Sequence, residues 1–275
     1  MAGQQATLAG AALMAGSRIG LGIAAFGLEF KSDFPGIISV LRGRYGKFRA
    51  PAGRGTKFSV SAFPGRQSPF RPAVREAGGR LELARGDFRA VLDLRSGEGE
   101  LESAPREQTL DAFLRSLLSA LLLRSGGLML HSAGLVKNGK AYLFPGRSGA
   151  GKSTLSKLAA GAGVEVLSDE INLLRRENGR YYAYGSPFWG EMRADGRPGR
   201  WPLGGIFLLG KSRLNAVHPC GSGAAMAALL RCLLNFEKGQ AVSGRVMANA
   251  AGLLGAVPAG RLEFSKRNAD FLELI

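Results

Sequence analysis

The chain has 275 residues and 37 Lys+Arg against 21 Asp+Glu, a formal charge of +16. With 45% hydrophobic residues it can fill a core, which excludes wholesale disorder; its length allows one large domain or two small ones. Two cysteines, Cys220 and Cys232, cannot build a disulfide framework or a four-ligand zinc site, and read as free thiols of a reducing, cytoplasmic compartment.

The apolar stretch Leu8–Phe26 is broken by Ser17 and Arg18 and has no basic leader, so it reads as neither a signal peptide nor a membrane span. The first ~15 residues are expected to be loosely ordered, or to reflect an upstream start codon. From Arg18 to Ser32 the pattern suggests one or two strands, followed by a short helix over Ile37–Tyr45. Lys57–Phe63 and Arg80–Leu94 alternate with period two, the second around a turn at Arg85–Asp87. Between Arg42 and Arg89 lie twelve basic and three acidic residues, more than half of the net charge. That excess fits a solvated Arg-rich surface or a docking face for an acidic partner. It lacks the aromatic interleaving of a single-strand binder, which argues against nucleic acid. The acidic run Glu98–Glu102 reads as a bridge, so residues 1–105 form a small, β-rich α/β N-terminal domain and residues 106–275 a second one.

Leu110, Phe113, Leu114, Leu117, Leu118, Leu121 and Leu122 make the stripe of a core-facing helix that ends at Ser125-Gly126-Gly127. Gly127–Val136 and Ala141–Phe144 are strands joined by a hairpin at Asn138-Gly139. A second hairpin, at Asn178-Gly179, joins Ile171–Leu174 to Tyr181–Tyr184. Leu203–Leu209 reads as a buried strand, Gly223–Phe236 and Arg245–Leu254 as helices, and Leu262–Phe264 as a last strand before a short helix.

Chemistry concentrates after the first hairpin. Gly146, Arg147, Ser148, Gly149, Ala150, Gly151, Lys152 and Ser153, followed by Thr154, fit the phosphate-binding pattern G-x-x-x-x-G-K-[ST] without a mismatch. Such a loop turns backbone N–H groups toward phosphates at a helix N-terminus; Lys152 would reach the β/γ oxygens and Ser153 would ligate Mg²⁺. Seventeen residues after Lys152, a short apolar strand ends in Asp169 and Glu170. One of them is expected to face the phosphates, as base or as Mg²⁺ ligand, because adjacent strand residues point to opposite faces unless the strand has ended there. His131, on the strand hairpinned to the one feeding the loop, is placed near the loop's mouth. His218 reads as a surface loop residue. Around Trp189, a packed turn and a substrate or metal role for Glu191 stand side by side, and Lys211 is either a solvated strand-end charge or a phosphate contact. Antiparallel neighbours around the loop, rather than βαβ crossovers, point to the mixed-sheet architecture of the HPr kinase and phosphoenolpyruvate carboxykinase class.

The residues from Leu130 to Gly134, the loop, Val166–Glu170, Gly185–Glu191 and Pro202–Lys211 together resemble the catalytic domain of bacterial HPr serine kinase/phosphorylase-related proteins. These include kinase-like members found with peptide-modification or exosortase systems. The resemblance runs from about Leu110 to the C-terminus. It implies an α/β P-loop kinase that uses ATP and Mg²⁺, with His131 as an active-site histidine and Asp169 as the base for a hydroxyl acceptor. Ser153, Glu170 and Glu191 are the candidate metal ligands. The implied acceptor is Ser on a protein or peptide, and the resemblance is compatible with a homo-oligomer. Glu170 replaces the second aspartate of the family's pair, and Ser-Pro-Phe-Trp-Gly-Glu stands where its Gly-rich signature would be, which speaks against HPr itself as acceptor. A nucleotide-binding adaptor with little catalysis, or a kinase acting on a free serine-type small molecule, are the alternatives.

Overall fold

Alternating apolar and polar residues build a first sheet of seven strands in the computed structural model, which describes residues 17–53, 55–66, 68 and 71–275. The expectation for the first ~15 residues lies outside the described ones. The strands are β1 (Ser17–Ile23), β2 (Phe26–Ser32), β3 (Thr56–Ala62), β4 (Ala73–Ala77), β5 (Arg80–Arg85), β6 (Phe88–Asp93) and β7 (Glu98–Ser103), in the order β1-β2-β3-β7-β6-β5-β4. The β2–β3 and β3–β7 pairs are parallel and the others antiparallel. Helix α1 (Pro35–Arg44) crosses between β2 and β3, with Pro35 at its first turn, where no N–H partner is needed.

The acidic run is not a bridge. Glu98, Glu100 and Glu102 occupy the exposed positions of β7, while Leu101 and Ser103 are buried between β3 and β6. Period-two alternation wins over the low strand propensity of glutamate because the sheet has a solvent face on which charges sit without desolvation.

Helix α2 (Glu107–Arg124) carries the predicted stripe. Leu110, Phe113, Leu114, Leu117, Leu118 and Leu122 are fully buried. Phe30, Phe58 and Phe88 of the first sheet meet the Phe113 ring edge-on at centroid distances of 6.3, 5.4 and 5.8 Å. The same core cluster continues into Met129, Ile171 and Leu173 of the second sheet. Gly126, at φ +75, ends the helix, and the Gly127 N–H returns to the Leu122 carbonyl at 2.8 Å.

Eight strands form that second, mixed sheet: β8 (Leu128–Lys137), β9 (Lys140–Pro145), β10 (Glu165–Ser168), β11 (Ile171–Glu177), β12 (Arg180–Tyr184), β13 (Arg200–Lys211), β14 (Ala216–Pro219) and β15 (Ala259–Phe264). Both Asn-Gly hairpins form, with positive φ at Asn138, Gly139, Asn178 and Gly179. Pairings β8–β11–β12–β13–β9–β8 close on themselves. Within this ring β9 and β13 run parallel, and β15 runs parallel to β13 on its other edge. Three carboxyl ends therefore open on one side. The strands are covered on both faces. Leu143 packs with α4 (Ser222–Cys232) and α5 (Gln240–Ala256), while its neighbour Phe144 packs with α3 (Lys152–Gly161). Strand β13 is longer than expected, and its residues 207–209 are half-buried rather than buried. His218 lies in edge strand β14 instead of a loop, with its side chain exposed as expected. The C-terminal helix is a single 3-10 turn over Asp270–Leu274.

Candidate functional site

Between the end of β9 at Pro145 and the start of α3 at Lys152, the Gly146–Ser153 loop turns through Gly149 (φ +79) and Gly151 (φ +103), conformations that L side chains rarely adopt. A Cβ on Gly151 would also lie 2.9 Å from the Phe264 ring, so the position is closed to a side chain twice over. No acidic residue occupies the first turn of α3, which leaves its positive end open to an anion. Lys152 is buried and lies across the loop, its Nζ donating to the carbonyls of Gly146 (2.7 Å) and Arg147 (3.1 Å). Two of its three N–H donors are thereby used. Burial pushes its pKa down, opposed by Cys232 and by the carboxylates of Glu170, Asp169 and Glu191.

Strand β10 ends at Ser168, and its register against β8 shifts just before that point. Ser168 Oγ makes the bend. It accepts the Glu170 and Ile171 N–H groups at 3.0 Å each and donates to the Phe188 carbonyl at 2.6 Å. Because the strand is interrupted here, the alternation of faces ends and Asp169 and Glu170 both line one cleft. Asp169 is buried. Its Oδ1 accepts from Gly190 N–H (2.8 Å) and its Oδ2 from Met192 N–H (3.1 Å). Glu170 pairs with Arg115 at 3.4 Å, and Arg115 is braced by Asp111 one turn earlier on α2 at 2.6 Å. His131, opposite Ile171 in the β8–β11 ladder, lines the same cleft. Burial, then the fields of Lys152 and Arg115, push its pKa below the ordinary value and favour the neutral imidazole.

The cleft encloses about 580 Å³. Ser148, Gly149, Gly151, Lys152, Ser153 and Thr154 form its floor, whereas Gly146, Arg147 and Ala150 belong to the loop without lining the cleft. Glu191 lines it too, exposed and paired with Lys157 at 3.2 Å. Lys211, which ends β13, and Ser212 after it line the cleft too, with Phe264 and Lys266 at the end of β15. Lys266, Phe264 and Arg115 were not legible as site residues. The signal for the first two is their position at the carboxyl end of a strand parallel to β9's partner, which only the pairing reveals. Among the described residues no group of three or more His, Cys, Asp or Glu is placed to hold a metal ion. Ser153, Glu170 and Glu191 line one cleft, and their oxygens are of the kind hard cations take.

The family described as SynChlorMet cassette protein ScmC matches residues 111–271, more than half of the chain. The chain belongs to the ScmC family. No match was found among curated proteins. The ScmC match starts inside α2 and takes in every residue that lines the cleft, and it leaves the first sheet and α1 outside.

Proposed function

We propose that this ScmC family member is an ATP- and Mg²⁺-dependent kinase of the HPr kinase-related type that phosphorylates a hydroxyl, foremost a Ser on a protein or peptide. The observation that carries the reading is the Gly146–Ser153 loop at the N-terminus of α3 facing Asp169 across one cleft. Backbone N–H groups of the loop and the α3 terminus bind the phosphate chain, and Lys152, with a third N–H to spare, adds positive charge at the transferred group. Asp169 takes the hydroxyl proton as the acceptor oxygen bonds to the γ-phosphorus and the bond to the β-phosphate oxygen breaks. Gly190 and Met192 hold its carboxylate in place while free lone pairs remain for the proton. Neutral His131 can accept or donate a hydrogen bond at the acceptor without adding charge. Mg²⁺ held by Ser153 and Glu170 or Glu191 would supply charge neutralisation on the β- and γ-phosphates. The family's description as a cassette protein fits an acceptor encoded alongside it.

The test is transfer from γ-labelled ATP into a lysate of the protein's own source. Label is expected on a protein or peptide. With Asp169→Asn it should fall by roughly 10²-fold or more, while ATP binding stays within a few-fold. Lys152→Ala should weaken binding and turnover together. Bound nucleotide with no labelled product would favour the adaptor reading, and label confined to the low-mass fraction a small-molecule acceptor.

A further inference from the structure

Arg44 is the last residue of α1, outside the family match and outside the cleft. Its side chain is nevertheless only 9% exposed. It pairs with Glu107 at the start of α2 (3.0 Å) and with Asp195 (2.8 Å), donates to the Pro187 carbonyl (2.5 Å), and lies over the Trp189 ring (4.8 Å). The last three partners belong to the segment between β12 and β13, residues 185–199, which makes no strand ladder of its own. Pro187 and Asp195 sit on its two limbs. Between them lies the turn whose Gly190 and Met192 amides hold both oxygens of Asp169. Gly190 is tight against that carboxylate, since a Cβ there would lie 3.2 Å from Asp169 Oδ2 and from Glu170 Cβ.

Backbone bonds join the base of its two limbs, from Gly185 N–H to the Gly199 carbonyl (3.1 Å) and from Gly196 N–H to the Ser186 carbonyl (2.9 Å), and Phe188 is buried. The stretch between them has no ladder, leans on side-chain ties such as those of Arg44, and opens locally when they are cut. The tie here needs a planar fork with donors in several directions. Arginine has five N–H donors in that geometry, whereas lysine offers a single ammonium that cannot span both limbs.

We propose that Arg44 is a positioning residue, which clamps both limbs of the 187–195 segment so that the Gly190 and Met192 amides stay on Asp169 and Glu191 stays at the cleft. Arg44 acts through this segment and touches no reacting group. The consequence for turnover rests on the kinase reading; the consequence for the segment does not.

Two variants cut the clamp: Arg44→Lys, and Asp195→Asn, which removes one limb's charge and leaves α1 intact. Amide hydrogen exchange should quicken at least tenfold at Gly190 and Met192 in Arg44→Lys, and in the same direction in Asp195→Asn, with the β8–β9 hairpin amides unchanged. In the transfer assay kcat should fall about tenfold to a hundredfold with the KM for ATP within about twofold, as expected when a reacting group is misplaced rather than lost. Unchanged exchange at Gly190 and Met192 in both variants would overturn the proposal. So would faster exchange throughout the protein, which would make Arg44 merely structural. Absence of phosphotransfer by the unaltered protein would sink the kinase reading, and the exchange result would still decide the clamp.

Discussion

His131 is held neutral by burial and by the positive fields of Lys152 and Arg115, and that has a cost measurable outside any assay of activity. The folded protein resists the proton that the unfolded chain binds once pH falls below the ordinary histidine value of about 6.5. In that window the unfolded state carries more protons, so stability declines as pH drops through it, and the decline levels off below the folded pKa. Acidification from about pH 7.5 to about pH 5.5 should therefore lower the thermal midpoint further in the unaltered protein than in His131→Asn. Equal losses in the two would assign the acid sensitivity to other groups. His131 was legible because it stands on a strand whose hairpin partner feeds the Gly146–Ser153 loop. Arg115 was not. The α2 stripe shows which side of the helix is apolar, but not that the other side meets Glu170, fifty-five residues on.

Turns decide which elements could be read. At Asn138-Gly139 and Asn178-Gly179 the residue types announce positive φ, and both hairpins formed as expected. The β1–β2 hairpin uses the same kind of two-residue turn with Ala24 (φ +50) and Ala25 (φ +59), between the paired Ile23 and Phe26. Two alanines carry no such signal, which is why the sequence left one strand or two open. They sit there because the flanking strands impose it: Leu21, Ile23 and Leu28 are buried, and Arg175 donates to the Ala24 carbonyl at 3.0 Å. Left-handed backbone costs an L-residue roughly 1–2 kcal/mol, and glycine does not bear that cost. Ala25 is exposed, so Ala25→Gly removes no packing. Once glycine's extra unfolded-state entropy is deducted, it should stabilise the protein by roughly 0.5–1 kcal/mol. A higher urea midpoint with an unchanged slope would confirm this. A lower one would mean that the turn is not strained.

At the scale of the molecule the charge proves less directional than its clustering suggests. On the solvent side of the first sheet, basic residues meet acidic ones across strands, as Lys57 meets Glu98 at 3.0 Å and Arg75 meets Glu82 at 2.7 Å. Others are spent inward, Arg44 on the 185–199 segment and Arg85 on buried Asp87. A shared apolar core joins the two sheets. The aromatic rings of Phe30, Phe58 and Phe88 close on Phe113 of α2, and the same helix packs on β8 and β11. Burying a ring of this size contributes about 1.5–3 kcal/mol. Three or four of them rival the roughly 5–15 kcal/mol by which a whole domain is stable. Neither sheet can therefore melt while the other keeps α2 covered. Heating should give one calorimetric transition whose van't Hoff and calorimetric enthalpies agree. Two resolved transitions would instead show that the first sheet unfolds by itself, and then the Arg44 clamp would be released before the cleft.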